Sequence, residues 1–390
     1  MDGDAFFVGV EMAKNPKLKG LPVVTGEERG IVSALSYEAK ALGVTRGMSI
    51  YLIKKKFPQV IILPGDYVAY AKYSSLMFDI VRRYADDVEE YSIDECFADL
   101  TGLTKTLRLS YLQMAERIKK EINEELHLSV TIGLAPTKVL AKVASKWVKP
   151  NGLTVIEKEN VTNFLRETKI EKIWGIGPKT AEFLTRRGIN TALDFVSKDL
   201  AWIKLNLSAP YETLWRELKG EYLLKIDPVP KSVYSSVQKT HSFYPPTNDK
   251  AFLLSQLSKN IESACTKARH YKLVPRKVFF FLKTQDFQFT TCVVILPAPT
   301  NAPEIIISLA EKKFKEMHVR NVLYRTTGVT LQDLIHDSMK QGDLFDNNNL
   351  AHKFEIIHGE IDKLEEKFGK RVIHLASTHQ AFLIIKKKVK

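Results

Sequence analysis

Tyr91-Ser92-Ile93-Asp94-Glu95-Cys96-Phe97-Ala98-Asp99-Leu100 sets two adjacent carboxylates, Asp94 and Glu95, inside an otherwise strand-like run. Neighbouring side chains on a strand point to opposite faces, so the pair cannot share one face of a regular strand. A tight turn there would project both tips together. A third acid, Asp2, opens a second short acidic motif, Asp2-Gly3-Asp4-Ala5-Phe6-Phe7. Three carboxylates converging on one point repel each other unless cations stand between them, and a two-metal phosphoryl-transfer site is built that way. Taken alone, each acid reads as an ordinary turn or capping residue.

The elements that must position these acids follow from local pattern. Residues 5–12 read as an apolar strand end entering a turn, and Leu21–Val24 and Ile31–Ala34 as short strands. Tyr37–Leu42 reads as a helix ended by Gly43. Val60–Leu63 reads as a buried strand stopped by Pro64-Gly65. Helical spacing covers 66–86, with Tyr67, Tyr70, Leu76, Ile80 and Val81 on one apolar side and both tyrosines structural. Residues 87–100 give strand, acidic turn, strand. A helix over 107–126, a strand over 128–133 and a basic helix over 137–148 follow, closed by Lys149-Pro150-Asn151-Gly152. From 158 to 226 the pattern is helical. Strands return at 278–282, 290–295 and 322–326, with helices near 250–270 and 303–317. Residues 337–349 read as a polar linker, 352–377 as a short helix and strand, and Lys386-Lys387-Lys388 as a frayed basic end. Strands alternating with helices imply layered α/β or α+β domains.

The 390 residues suffice for several domains. A formal charge of +13 favours a polyanionic partner, nucleic acid first. Residues 231–340 carry 16 Lys+Arg against 8 Asp+Glu, so more than half of the net charge lies there, marking a backbone-gripping module. Cys96, Cys265 and Cys292 are scattered and form no zinc or disulfide pattern, which fits a reducing cytoplasm. No apolar run is long enough to span a membrane, and the first residues do not have the pattern of a signal peptide.

The acids keep specific company: Ser92-Ile93-Asp94-Glu95, then Gly133-Leu134-Ala135-Pro136-Thr137-Lys138 through Lys146 with Lys149-Pro150-Asn151-Gly152, then Ile173-Trp174-Gly175-Ile176-Gly177-Pro178. In this order, over roughly residues 2–335, the chain resembles the Y-family (translesion) DNA polymerases, DinB/UmuC-like. The resemblance implies an α+β multidomain right hand. It comprises a ferredoxin-like palm (1–10 and 66–160), small fingers (11–65), a helical thumb with a helix-hairpin-helix (161–230), an α/β little finger (231–335) and a tail (336–390). It implies two Mg²⁺ ions held by Asp2, Asp94, Glu95 and the backbone carbonyl of Gly3, with Asp4 structural. Phe7 is the implied steric gate against a 2′-hydroxyl. Tyr37, Lys40 and Lys149 are the implied triphosphate contacts, Lys40 standing where the family has arginine and so lacking the bidentate fork. Gly175 and Gly177 would turn backbone N–H groups to DNA phosphate without reading sequence.

Gln341-Gly342-Asp343-Leu344-Phe345 resembles the peptide by which bacterial replication proteins dock on the sliding clamp, with Leu344 and Phe345 as apolar anchors and Gln341 hydrogen-bonded at the pocket edge. The implied reaction is templated transfer of a dNTP to a primer 3′-hydroxyl, bypassing damage, in the cytoplasm. The partners are primer-template DNA, dNTP, the clamp and activating subunits, with no membrane. Ile361-Asp362 and Phe368-Gly369-Lys370-Arg371 look more like the UmuC-type subgroup than the DinB type.

One departure stands out. In the family several apolar residues precede the first metal-binding acid, whereas here Met1 alone precedes Asp2. Asp2 is therefore expected on a frayed end, and added upstream apolar residues are expected to raise activity. Two rivals remain open: a weak or inactive DNA-binding scaffold of the same fold, and a nucleotide cyclase, against which the basic C-terminal module argues.

Overall fold

The computed structural model describes residues 1–229, 234–340, 349–368 and 371–381. The chain divides into two compact units, Met1–Pro230 and Lys231–Lys390.

The first unit opens with β1 (Asp2–Gly3), α1 (Phe6–Lys14), β2 (Val23–Thr25), β3 (Ala34–Leu35), α2 (Tyr37–Ala41), α3 (Ile50–Lys56) and β4 (Ile61–Leu63). Residues 5–12 are thus helical where a strand end was expected. Phe6 and Val10, one turn apart, enter one core, while Val8 enters another with Leu18 and Val23. A helix buried on two sides alternates in burial as a strand would. β2 pairs antiparallel with β3 and parallel with β4, and a small separate core holds Val24, Val32, Ile50 and Ile53.

Next come α4 (Tyr67–Arg82), β5 (Val88–Glu90), β6 (Cys96–Ala98), α5 (Leu103–Leu107), α6 (Tyr111–Leu126), β7 (Val130–Leu134), α7 (Lys138–Trp147) and β8 (Leu153–Val155). Ser110 and Gln113 close a capping box at the start of α6, satisfying two otherwise orphaned donors. β7 runs between β1, antiparallel, and β8, parallel. Helices α4 and α6 pack together over a core holding Met77, Phe78, Ile118 and Ile122. Tyr70 is fully buried, as expected, whereas Leu76 is exposed.

The anticipated fraying of Asp2 is not found. Met1 and Cys96 exchange both main-chain hydrogen bonds, at 2.9 and 3.2 Å, and Gly3 N–H donates to Asp94 O at 2.8 Å. Asp2 is 6% exposed. Beside Met1, between β6 and β7, lies a cavity of about 70 Å³ lined by Phe97, Ile118, Ile132 and Lys142 among others.

The remainder of the unit is helical: α8 (Val161–Glu167), α9 (Pro178–Thr185), α10 (Ala192–Val196), α11 (Leu200–Asn206) and α12 (Ala209–Leu218). Their core includes Leu184, Phe195 and Leu218, and takes in Val139, Leu140 and Val143 from α7, so α7 joins the helical part to the sheet part.

The second unit contains β9 (Ser236–Thr247), α13 (Lys250–His270), β10 (Leu273–Thr284), β11 (Phe289–Ile295), α14 (Pro303–Met317), β12 (Tyr324–His336) and α15 (Asn349–Phe368). Its sheet has the order β11-β10-β12-β9, every pair antiparallel. Helices α13 and α14 cover one face through Leu257, Ile261, Ile306 and Phe314 against Val278, Phe280 and Leu282. Described residues of the tail pack on this unit. Arg269 grips Asp362 with two hydrogen bonds, at 2.7 and 2.9 Å, and Arg371 binds Glu262 at 3.0 Å. After α15 the described residues form a single turn of 3₁₀ helix, Ala376–Thr378, where a strand was expected. Among the described residues no helix is long and apolar enough to cross a membrane.

Candidate active site

The acidic turn forms as the Asp94-Glu95 pattern requires. β5 and β6 are an antiparallel pair, and Tyr91 and Ser92 N–H both donate to Glu95 O at 3.0 Å, reversing the chain between them. Ser92 Oγ donates to an Asp94 carboxylate oxygen at 2.7 Å. Glu95 stands across an antiparallel bridge from Asp2, so two acids distant in sequence become neighbours.

Lys142, for which the sequence alone indicates no role, holds them. Lys142 Nζ lies 2.7 Å from Glu95 Oε1 and 3.2 Å from Asp2 Oδ2, and its side chain is buried. It reaches them because α7 lies close on β7. A Cβ on Gly133 would stand 2.4 Å from both Ala141 O and Ser145 N, so any larger residue would push the helix away. The signal available in the sequence was Lys138, Lys142 and Lys146 at four-residue spacing, one helix stripe. Lys138 is pinned in the same way, to Glu89 and to Lys225 O, under the ring of Phe97. The helix expected to be basic therefore turns two of its cations inward.

Lys149 pairs with Asp2 and lies 3.8 Å from Asp4. Asp4 accepts hydrogen bonds from Ser129 Oγ, Thr131 Oγ1 and Asn151 N–H, each at 2.8 Å, the partners of a structural acid. Burial opposes the charge on Asp2, but hydrogen bonds with Glu95 and Lys149 and the nearby lysine charges outweigh it, holding its pKa at about 2. Burial, then the hydrogen bond with Asp2, raises Glu95. Tyr37 is pushed up to about 12 by burial and by the charges of Asp4 and Asp2, so its hydroxyl stays a donor beside them. Lys40 is exposed on the same helix, its Nζ 5.9 Å from the Tyr37 ring centre.

Phe7 is half-buried, stacked on Tyr70 at 4.4 Å and edge-on to Tyr67 at 5.7 Å, while Phe6 is in the core. Gly175 has φ +94°, a conformation open to glycine, and Gly177 precedes α9 with Pro178 as its first residue. A Cβ on Gly177 would meet open space. Between them Ile176 is buried, and Trp174 Nε1 donates to Tyr91 Oη at 3.0 Å, tying this hairpin to the strand entering the acidic turn. Gln341, Leu344 and Phe345 lie outside the described residues.

Asp2, Glu95, Lys142 and Lys149 are thus brought together, with Asp4 and Tyr37 beside them. Asp94 joins through its backbone, and its carboxylate turns to Ser92. Among the described residues no three acids, histidines or cysteines form a ready-made cation cage. The oxygen-only donor set nevertheless suits a hard divalent ion, and one cation, the Lys142 ammonium, already stands between two of the carboxylates.

The impB/mucB/samB family model matches residues 1–146, its C-terminal-domain model residues 234–344 and the IMS family HHH motif residues 158–189. DNA polymerase IV 1 of Bacillus subtilis is 32% identical over 384 residues, covering 97% of this chain and 92% of that one. The chain is a DinB-like Y-family DNA polymerase. DNA polymerase IV of Desulfatibacillum aliphaticivorans is 29% identical, covering 97% of this polymerase and 95% of that one. Among solved structures, a Y-family DNA polymerase chimera of Dbh and Dpo4 matches with TM-score 0.72 at 27% identity, and DinB from Sulfolobus solfataricus with 0.54 at 28%. Each covers 86% of this chain and 98% of its own. These relatives place the polymerase on the DinB side, against the UmuC leaning of its tail motifs. The right-hand fold and DNA-directed DNA synthesis follow from the same likeness.

Proposed function

We propose that this polymerase copies past damaged template positions, using Asp2, Asp94, Glu95 and the Gly3 carbonyl to hold two Mg²⁺ ions. The observation that supports the metal assignment is the pairing of buried Asp2 with Glu95 around one ammonium, since such a pair needs a cation to stay assembled, and the bypass reading rests on the likeness to Y-family polymerases. When bound, the ions would supply acidity to the primer 3′-hydroxyl and neutralise triphosphate charge. Tyr37 then donates to a phosphate oxygen, and Lys40 and Lys149 carry positive charge to it. Phe7, braced flat against Tyr70, closes the space beside the sugar 2′-carbon. The N–H groups near Gly175 and Gly177 grip template or primer phosphate. The palm, fingers, thumb and little finger take the boundaries 1–10 with 66–160, 11–65, 161–230 and 231–335. A structural neighbour is an insertion ternary complex of Dbh DNA polymerase, and primer-template DNA and dNTP are the joint substrates proposed for this chain.

Phe7→Ala supplies the test of the sugar gate. Ribonucleotide incorporation in primer extension should rise on the order of a hundredfold relative to deoxynucleotide, the scale of a few kcal/mol of lost steric discrimination. An unchanged ratio would remove Phe7 from the role. Residues 341–345 are proposed to dock on the sliding clamp, in the cytoplasm where replication proceeds. Deleting them should abolish stimulation by clamp while leaving unassisted extension intact. Equal clamp stimulation after the deletion would refute the docking role.

A further inference from the structure

The tip of the β10–β11 hairpin exposes two aromatic rings that folding does not require. Phe287 and Phe289 are each 58% exposed. Phe287 also sits at φ +66°, in the left-handed region that a bulky side chain enters at a cost. An exposed apolar ring on a strained backbone gains the fold little, so a use outside the fold is indicated.

Cations surround these rings. Lys283 Nζ lies 4.7 Å from the Phe287 ring centre and 4.8 Å from that of Phe289, and the Arg325 guanidinium lies 4.5 Å from Phe287. The strand registers extend the feature. Phe279, Phe281, Lys283 and Phe289 share the sheet face opposite α13 and α14. Between the Lys277 and Lys283 rows, no Asp or Glu stands at any position that the registers place on that face. The one acid at the tip, Asp286, lies in the turn itself.

We propose that Phe287 and Phe289 form a stacking platform for unpaired nucleobases of the template strand, with Lys283 and Arg325 holding the adjoining phosphates. Flat rings interleaved with cations, and no acid beside them on the sheet face, complement a single strand, whose bases offer π-faces and whose backbone is anionic. Duplex DNA offers no base face there except at its end. The platform would contact template bases that have not yet been copied.

The experiment measures binding of the full chain by fluorescence anisotropy to two primer-templates, one with a single-stranded 5′ template overhang of about ten nucleotides and one blunt. The wild-type protein should prefer the overhang. The Phe287→Ala/Phe289→Ala pair should lose that preference, on the order of tenfold per stacked base, with blunt-end affinity and melting temperature unchanged. The Phe287→Tyr/Phe289→Tyr pair should keep it, and the Phe287→Leu/Phe289→Leu pair should lose it. The proposal is overturned if the wild type shows no preference, if the alanine pair retains it, or if leucine serves as well as tyrosine. It is equally overturned if the alanine pair alters only self-association in sedimentation, which would make the rings a contact between copies.

Discussion

Two clusters of buried charge, one in each unit, are built from different cations. In the second unit Arg269 binds Asp362 with two parallel bonds, and Arg371 reaches both Glu262 and Thr266 Oγ1. A planar guanidinium locked bidentate on a carboxylate fixes geometry as well as charge. That cluster joins α13 to the tail and has the character of a permanent clasp. In the first unit the acids Asp2, Glu95 and Asp4 are met by Lys142 and Lys149. An ammonium is a compact point charge on a flexible stem, and it can yield its place to another cation. The contrast teaches that the sign of a buried charge pair says little about its purpose, while the shape of the cation says more.

The largest effect that would break this comparison is on the clasp. Arg269→Ala should lower the stability of the second unit by about 3 kcal/mol, because Asp362 is left without its partner at a partly buried site. The urea midpoint should fall while primer extension under folding conditions stays near wild type. A loss of extension without a loss of stability would mean that the clasp belongs to the chemistry.

A smaller effect is expected on the acid side. Asp2 has its folded pKa lowered from 3.8 to about 2. Its contribution to stability is therefore complete above the unfolded value and is lost as pH falls through the folded one. In metal-free protein Asp2→Asn should destabilise the fold at pH 6, by less than the Asp2 shift alone implies, because the hydrogen bond that lowers Asp2 raises Glu95. The gap to wild type should close as pH falls from 4 toward 2. A gap that does not change with pH would show that packing, and not charge, fastens Asp2.

Much of this was legible in the sequence. Asp94-Glu95 in a strand run required a turn, and β5, the turn and β6 form as expected. The helices α4, α6, α7, α13 and α14 follow their apolar periodicity. Four features were hidden for physical reasons. Helix α1 buries residues on two sides, which mimics strand alternation. Strand β9 lies at the sheet edge, is largely polar and contains Pro245-Pro246, so it lacks the buried run that marks an inner strand. The role of Lys142 depends on the helix-to-strand distance that Gly133 permits, and no local pattern encodes a distance. The docking of the tail was equally out of reach, because Arg269 and Asp362 are 93 residues apart.

Asp2, Asp94 and Glu95 are proposed to hold together the ions that serve nucleotide transfer. Primer extension with Mg²⁺, comparing wild type with Asp94→Ala and Glu95→Ala at matched folded fraction, tests it most directly. Each variant should show a fall in kcat on the order of a thousandfold or more, with DNA affinity kept. Full extension by either variant would contradict the metal assignment.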